Sequence, residues 1–567
     1  MFRIQEFSIY LSFYKNLIEY RLILFALFFL MILEGFTSSI SIAMLIPISE
    51  SLINNNSKDV WLDRYLPKNL INTPFKLFLI FGIIYLFKSI ISFAKFFFVM
   101  LFAENLRRNW QIKLAYKNLN QPYNEITKIP RGERIENIVK LADVGAMFVL
   151  KWLTYTSRLI IVISVFTTIT LISPTTSLAI IFILFFIVLA IGKKYFDWSF
   201  KLGKLKITLG QKLMSELTST ITALKEIKVL KIEKFKLINL KTIINKVRNV
   251  RVKQKIASQS PIYLLEFIIS IMVIIFAISL YIFNINISYI LPTIIFILGS
   301  SFVLISNFVT ASTERFKTIA NFYAYNFVIK EINLENKIKS KEDQLKLPFK
   351  NQDVIFKNIQ FSYFDSKKKI LNNLNFKIKS GSVIAIYGKS GSGKTTIFDL
   401  LIKLYQPTYG EILFNDININ KYNNSDWRAK ISYVTQEPIL FTGTLRENIM
   451  LDRKYSDQQI LDVCLTANLN DFLKNKDGLD TKIEDNGINL SGGQKRRIAI
   501  ARSLISDPYL IVIDEATNSL DELSEQNIIK KLKQFKKLTV IIVSHRNVTK
   551  HFVDESYELM NGEIFKL

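Results

Sequence analysis

Residues 388–396 read Gly388-Lys389-Ser390-Gly391-Ser392-Gly393-Lys394-Thr395-Thr396. The run follows an apolar, strand-like segment, Val383–Tyr387, and leads into an apolar helical pattern from Ile397. This is G-x-x-x-x-G-K-[ST] in the strand–loop–helix setting that its chemistry needs. Glycines let backbone N–H groups close on a phosphate, and the helix N-terminus adds a favourable field. Lys394 is placed to reach the β and γ phosphates of a nucleotide, and Thr395 to put its hydroxyl on Mg2+. A second strand-like run, Leu510–Ile513, ends in Asp514 and Glu515. Asp514 is placed to hold Mg2+, directly or through water. Glu515, one residue further, stands where a carboxylate can polarise an attacking water. Between these runs lies Leu490-Ser491-Gly492-Gly493-Gln494, a turn opening a helix with several free N–H groups. It is a second anion cradle in a fold that already has one, so it needs another job.

In this order and spacing the motifs resemble those of ATP-binding cassette (ABC) transporters. In that family the Leu490–Gln494 signature caps the γ-phosphate of ATP held by the opposite subunit. The resemblance extends along the chain. Tyr363 resembles the aromatic that stacks on adenine. Gln436, in Val434-Thr435-Gln436, resembles the glutamine that joins Mg2+ and the water to the membrane interface. Thr481–Gly487 resembles the X-loop, with Asp485 where the family usually has Glu. Asp521, in Ser519-Leu520-Asp521, resembles the D-loop aspartate, and His545 the switch histidine that contacts the γ-phosphate. The resemblance implies ATP and Mg2+ as cofactors and an ATP hydrolase coupled to transport. It also implies two composite ATP sites shared between two chains. Neither Glu515 nor the signature is degenerate, so a second copy of the same chain can complete both sites.

The elements that must position these residues divide the chain in two. It has 567 residues, mean hydropathy +0.25 and a formal net charge of +27. A soluble chain of this charge would suggest a nucleic-acid binder. The apolar runs of the N-terminal half exclude that reading. Cutting at Lys350 leaves only +4 of the charge in the nucleotide-binding half and +23 in the other. That half holds six apolar stretches, roughly 22–48, 77–103, 147–172, 175–192, 262–285 and 288–310, each of a length to cross a bilayer as a helix. The first is too long, and carries Glu34, to be a cleaved signal. Segment 193–258 has 17 Lys or Arg against four acids, whereas 49–75 balances three against three. The positive-inside rule therefore puts both termini and both long loops in the cytoplasm. The long loops read as amphipathic helices reaching beyond the bilayer.

The expected architecture is a polytopic α-helical membrane domain of six helices, ABC exporter type, fused to a C-terminal α/β P-loop NTPase domain. The boundaries are 1–330 for the membrane domain, 331–350 for a linker and 351–567 for the nucleotide-binding domain. The single Cys464 excludes a disulfide framework, and two histidines exclude a His-rich metal centre. In the family, short coupling helices carry motion between the domains. Tyr123–Pro130 and Thr218–Lys228 stand at the corresponding places.

Ionisable residues inside a span are costly and usually face a cavity or a partner. Glu34, Lys88 and Lys95 are the candidates for a substrate cavity. Lys88 lies about 17 Å past the outer end of its span, at 1.5 Å per residue. A cationic face suits an anionic, amphipathic substrate, and Lys88 could instead pair with Glu34 or Glu266. The first span and Pro261–Glu266 resemble bacterial lipid-linked oligosaccharide flippases, which implies a bacterial inner membrane. The sixth span, Tyr289–Val309, lacks the basic residues expected there. The leading substrate class is a lipid-linked oligosaccharide or other lipid. Peptide, drug or lipid A-type export is the alternative, and an ATP-gated channel or regulator a remote one. The partners expected are a second copy of the chain, membrane lipid and the substrate, with no nucleic acid.

Overall fold

The computed structural model describes residues 18–53, 74–172, 193–282, 287–338, 345–347, 352–363, 369–474, 477–514, 522–543 and 552–567. The chain separates into two units. One comprises Met1–Gln121 and Glu125–Ser340, the other Pro122–Asn124 and Lys341–Leu567.

The first unit is helical. Its helices are α1 (Arg21–Ala43), α2 (Leu45–Ile53), α3 (Pro74–Asn120), α4 (Tyr123–Ile126, whose first two residues fall in the second unit's Pro122–Asn124 segment), α5 (Arg131–Glu136), α6 (Ala142–Ile172), α7 (Lys193–Thr222), α8 (Leu224–Val229), α9 (Glu233–Ile282) and α10 (Ile287–Ile338). Helices α3, α9 and α10 run 47, 50 and 52 residues, so each extends well beyond a bilayer's apolar thickness. Helix α10 runs on past residue 330, so the first part of the expected linker 331–350 is helical as far as Ile338. Among the described residues four segments are long and apolar enough to cross a membrane: Arg21–Ser51, Phe75–Asn120, Arg131–Ile172 and Ile294–Asn333. The fourth expected stretch, 175–192, lies outside the described residues, and α9 carries the fifth, 262–285, as far as Ile282, with 283–285 also outside them.

The apolar residues sort onto two kinds of surface. Leu106, Phe148, Leu153 and Val328 are essentially inaccessible in a core built by α1, α3, α6 and α10. Phe148 stacks on Tyr325 with ring centroids 4.5 Å apart. Other apolar groups point outward, such as Phe93 at 69% exposed and Ile90 at 65%. Contiguous exposure on this scale suits lipid rather than water. Short helix α4 covers the start of the candidate Tyr123–Pro130, whereas the candidate Thr218–Lys228 is divided: Thr218–Thr222 end α7 and Leu224–Lys228 lie in the short α8.

The second unit is an α/β fold. A six-stranded sheet has the order β12-β11-β3-β10-β9-β6. Its strands are β3 (Val383–Tyr387), β6 (Ile431–Val434), β9 (Leu510–Asp514), β10 (Thr539–Val543), β11 (Glu555–Met560) and β12 (Glu563–Lys566). All pairs are parallel except β11 with β12. The central strands β3, β9 and β10 are buried at every residue, which is why they read as unbroken apolar runs. A smaller antiparallel sheet has the order β2-β1-β4-β5, led by β1 (Val354–Phe361) and β2 (Leu371–Ile378), with β4 (Tyr409–Phe414) and β5 (Ile417–Asn418) following. Helix α11 (Lys394–Leu401) leaves the end of β3 through the phosphate loop, and α12 (Gly492–Leu504) packs near β6 and β9.

Candidate nucleotide site and membrane charge cluster

The sheet gathers the motifs at one edge. In a parallel α/β sheet, ligands bind outside the carboxyl ends of the strands. The phosphate loop follows β3, Asp514 ends β9, and Gln436 stands two residues past β6. Parallel pairing brings these ends level: Val543 of β10 sits opposite Ile386 of β3 and opposite Asp514 of β9.

The loop itself has the geometry of a phosphate cradle. Gly391 and Gly393 hold φ values of +78° and +106°, in the left-handed region that side chains avoid. A Cβ at Gly391 would meet nothing within 4 Å, so the turn is open on that side. Lys394 is buried, and its ammonium donates to the carbonyls of Gly388 at 2.7 Å and Lys389 at 3.1 Å. Ser392 Oγ is buried without a hydrogen-bond partner. Such orphans are rare in native proteins, and one inside a phosphate loop fits a ligand that supplies the missing oxygen. Lys389 and Ser390 lie on the accessible rim, and Thr396 is buried beneath.

Beside the cradle, Thr395 Oγ1 donates to Asp514 Oδ2 at 3.1 Å, and Asp514 is 5% exposed. A hydroxyl beside a carboxylate is a fitting donor set for Mg2+, which keeps several of its ligands as water and phosphate oxygen. The Tyr433 hydroxyl also donates to Asp514 Oδ2, at 2.7 Å. The sequence reading missed Tyr433. The signal available was its place three residues before Gln436, but only the tertiary fold shows where its hydroxyl ends. Burial, then the charge of Asp514, pushes the Tyr433 hydroxyl well above the ordinary tyrosine range, so it stays a donor.

Tyr363 lies half-buried against Phe361 and Tyr405, with centroids 5.0 and 5.3 Å away. Its hydroxyl lies 3.1 Å from Thr396 Oγ1 and also bonds the Asp399 carboxylate. Gln436 is exposed, and its carbonyl accepts from Arg496 Nε at 3.1 Å.

The signature turn opens α12. Ser491 caps it, accepting from the Gln494 N–H at 3.2 Å, while the Gln494 side chain accepts from the Ser491 N–H at 2.9 Å. Ser491 and Gly492 are exposed, Leu490 and Gly493 half-buried, and a Cβ at Gly492 would meet nothing within 4 Å. The cradle is therefore formed and faces outward. Glu515, Asp521 and His545 lie outside the described residues.

In the first unit, Glu34 of α1 is 2% exposed and pairs with Lys95 of α3, which is 8% exposed. Lys95 also donates to Ser157 Oγ at 2.9 Å, and Ser157 donates to Glu34 Oε2 at 3.3 Å. Glu34 thus binds Lys95 rather than Lys88. Lys88 has its ammonium 5.3 Å from the Tyr85 ring centroid, within electrostatic range of Glu34 and Arg158. Arg158 of α6 donates to Asn307 Oδ1 of α10 at 2.9 Å. Arg158 was missed from sequence, although a cation within the third apolar stretch was legible there. Among the described residues neither Lys88 nor Arg158 has a carboxylate within salt-bridge distance.

These features define a class: an apolar helical membrane unit fused to a P-loop nucleotide-binding unit with an outward-facing signature turn. Residues 24–308 match the ABC transporter transmembrane region and residues 371–518 the ABC transporter domain. The chain belongs to the ABC transporter family and is a multi-pass membrane protein. It is 41% identical over 202 residues to a putative export ATP-binding/permease protein of Rickettsia bellii, covering 35% of each chain. It is 40% identical over 213 residues to an ATP-dependent lipid A-core flippase of Pasteurella multocida, covering 37% of each. The chain thus spans little more than a third of the length of these curated relatives. It also resembles the structure of a bacterial Atm1-family ABC exporter with ATP bound, at TM-score 0.74 and 19% identity, covering 96% of this chain and 94% of the other. That likeness shows the exporter fold.

Proposed function

We propose that the chain is an ATP-driven exporter or flippase half-transporter that works as a dimer, moving an amphipathic substrate with an anionic head outward from the cytoplasmic side. The reading of the engine rests on the convergence of the phosphate loop, Thr395, Asp514 and the exposed Ser491 turn. Lys394 and the loop N–H groups bind the phosphates, and Tyr363 supports the base. Thr395, Asp514 and Gln436 would hold Mg2+, which neutralises phosphate charge when bound. Glu515 orients the water and His545 reaches the γ-phosphate. Leu490–Gln494 of a second copy closes over the nucleotide, with Asp521 at the shared seam. Domains 1–330, 331–350 and 351–567 divide this labour, with the nucleotide-binding domain and both termini cytoplasmic in a bacterial inner membrane.

The observation that carries the substrate class is the charge balance in the membrane unit. Glu34 and Lys95 neutralise one another, while Lys88 of α3 and Arg158 of α6, both half-buried, have no carboxylate within salt-bridge distance among the described residues. Buried charge in a bilayer calls for a counter-charge, and an anionic headgroup such as a phosphate or pyrophosphate supplies it. A lipid-linked oligosaccharide or related lipid has that head and an apolar tail. The relative from Pasteurella multocida is named a lipid A-core flippase, which is an anionic lipid class too.

The test uses the full chain in proteoliposomes. ATPase activity is measured with anionic lipid-linked glycans, lipid A, cationic drugs and peptides. We expect stimulation by the anionic lipids, lost in Lys88→Ala and Arg158→Ala with basal activity retained. Equal loss of basal and stimulated rates would mark both residues as structural. Substrate flux that persists in Glu515→Gln with ATP bound would indicate a channel and sink the pump.

A further inference from the structure

The phenol of Tyr433 is placed by packing rather than by the loop that follows it. On β6, Tyr433 sits in register with Val512 of β9, two residues before Asp514. Its ring lies 6.4 Å from the Phe398 ring on α11, the helix that carries the phosphate-loop Lys394 and Thr395. Its hydroxyl reaches over the end of β9 to Asp514 Oδ2 at 2.7 Å, the oxygen that also accepts from Thr395 at 3.1 Å. Three elements, β6, β9 and α11, therefore meet on one carboxylate oxygen. Two donors on Oδ2 set the plane and rotation of the carboxylate. The same strand ends two residues before Gln436, so the brace also ties the glutamine's root to Asp514.

We propose that Tyr433 is a positioning residue for the metal-binding carboxylate. Its hydroxyl pre-orients Asp514 for Mg2+ and locks the strand leading to Gln436 to that carboxylate. The inference rests on the Mg–ATP reading of the site above. Hydrogen-bonded partners of metal ligands set ligand orientation, and their removal typically costs roughly 10–100-fold in metal affinity or activity.

The decisive variant is Tyr433→Phe, which deletes the hydroxyl and keeps the ring against Phe398. The full-length protein is taken in lipid nanodiscs with a non-hydrolysable ATP analogue, and Mn2+ binding is followed by electron paramagnetic resonance. We expect metal-free nucleotide affinity, measured in EDTA, to stay at the parent value. Half-saturation by Mn2+ should rise roughly 10-fold or more, and the Mg2+ dependence of ATPase should shift upward in parallel, with kcat recovering at saturating Mg2+. Tyr433→Leu, which also removes the ring, should give a metal shift no smaller than that of Tyr433→Phe. Mn2+ affinity unchanged or tighter in Tyr433→Phe overturns the proposal. So does a shift seen only in Tyr433→Leu, because ring packing would then carry the effect, and so does weakened metal-free nucleotide binding in Tyr433→Phe. A parent protein that binds no metal–nucleotide complex overturns the nucleotide reading itself, and that outcome is distinct from the others.

Discussion

Asp399 sits on α11 beneath the cradle, and its position has a pH consequence. Burial, then the charge of Asp514, raises its carboxyl from 3.8 to about 6, while the Tyr363 hydroxyl partly offsets the shift. A raised folded pKa means that the folded state holds a proton the unfolded state has released. Stability is therefore lost as pH rises from about 4 to about 6, and the cost is constant above that window. Asp399→Asn, which can still accept from Tyr363, should raise the thermal midpoint of the nucleotide-free protein's cassette transition at pH 8. The gain should vanish below pH 4, and a gain of equal size at both pH values in calorimetry would remove the linkage. Glu515→Gln belongs to the same scale. It should retain ATP binding but lose turnover by roughly 10²–10⁴-fold, the range of a general-base contribution, and near-normal phosphate release would sink the assignment.

At the level of elements, two buried details hold the helical unit together. Glu34, Lys95 and Ser157 bind α1, α3 and α6 at one point away from water. Removing one member of a buried ion pair costs about 3–5 kcal/mol because it strands the other charge. Glu34→Ala should therefore lower the detergent melting temperature sharply, and Glu34→Ala with Lys95→Met should recover most of it. A double variant no better than the single would show that the pair is not the cause. Gly203 of α7 lies so close to α10 that a Cβ would stand 2.0 Å from the Ala320 carbonyl. Gly203→Ala should separate the two helices and destabilise the unit, read by the same melt. In the cassette, Ser491→Ala removes a helix cap worth about 1 kcal/mol. If the turn also receives a phosphate across a dimer, turnover should fall far more than that modest stability change accounts for.

At the scale of the whole molecule, the proposed dimer with shared ATP sites would make turnover depend on assembly. On the proposed dimer, the exposed Ser491–Gly492 turn of one copy and the open phosphate loop of the other would each bind one side of a nucleotide. Turnover should be sigmoidal in ATP for the dimer. Mixing parent chains with Ser491→Ala chains should leave mixed dimers with one intact site. ATPase that scales linearly with the parent fraction, with no excess or deficit from mixed pairs, would instead mean that the two sites act independently.

Much of this protein was legible without coordinates because its signals are local. The phosphate loop needs one strand, one turn and one helix, all contiguous between Val383 and Leu401. The apolar runs and the loop charges likewise report a solvent, bilayer or water, that acts on each segment separately. The coupling candidates came from the family resemblance; a short helix stands at Tyr123–Ile126, while Thr218 lies within α7 and the next short helix begins only at Leu224. Contacts between residues distant in sequence were not legible. Glu34 had Lys88 and Lys95 within reach as partners, 54 and 61 residues on, and no local pattern chooses between them. Packing of α1 against α3 and α6 chose Lys95, which left Lys88 with its ammonium over the Tyr85 ring instead. Tyr433 looked like one more strand residue until parallel pairing set its hydroxyl on Asp514, 81 residues away. Composition and spacing thus determined the engine and the membrane class. The partners of each buried charge and hydroxyl were decided only by the tertiary structure, because a polar group out of water takes whichever partner packing brings within about 3 Å.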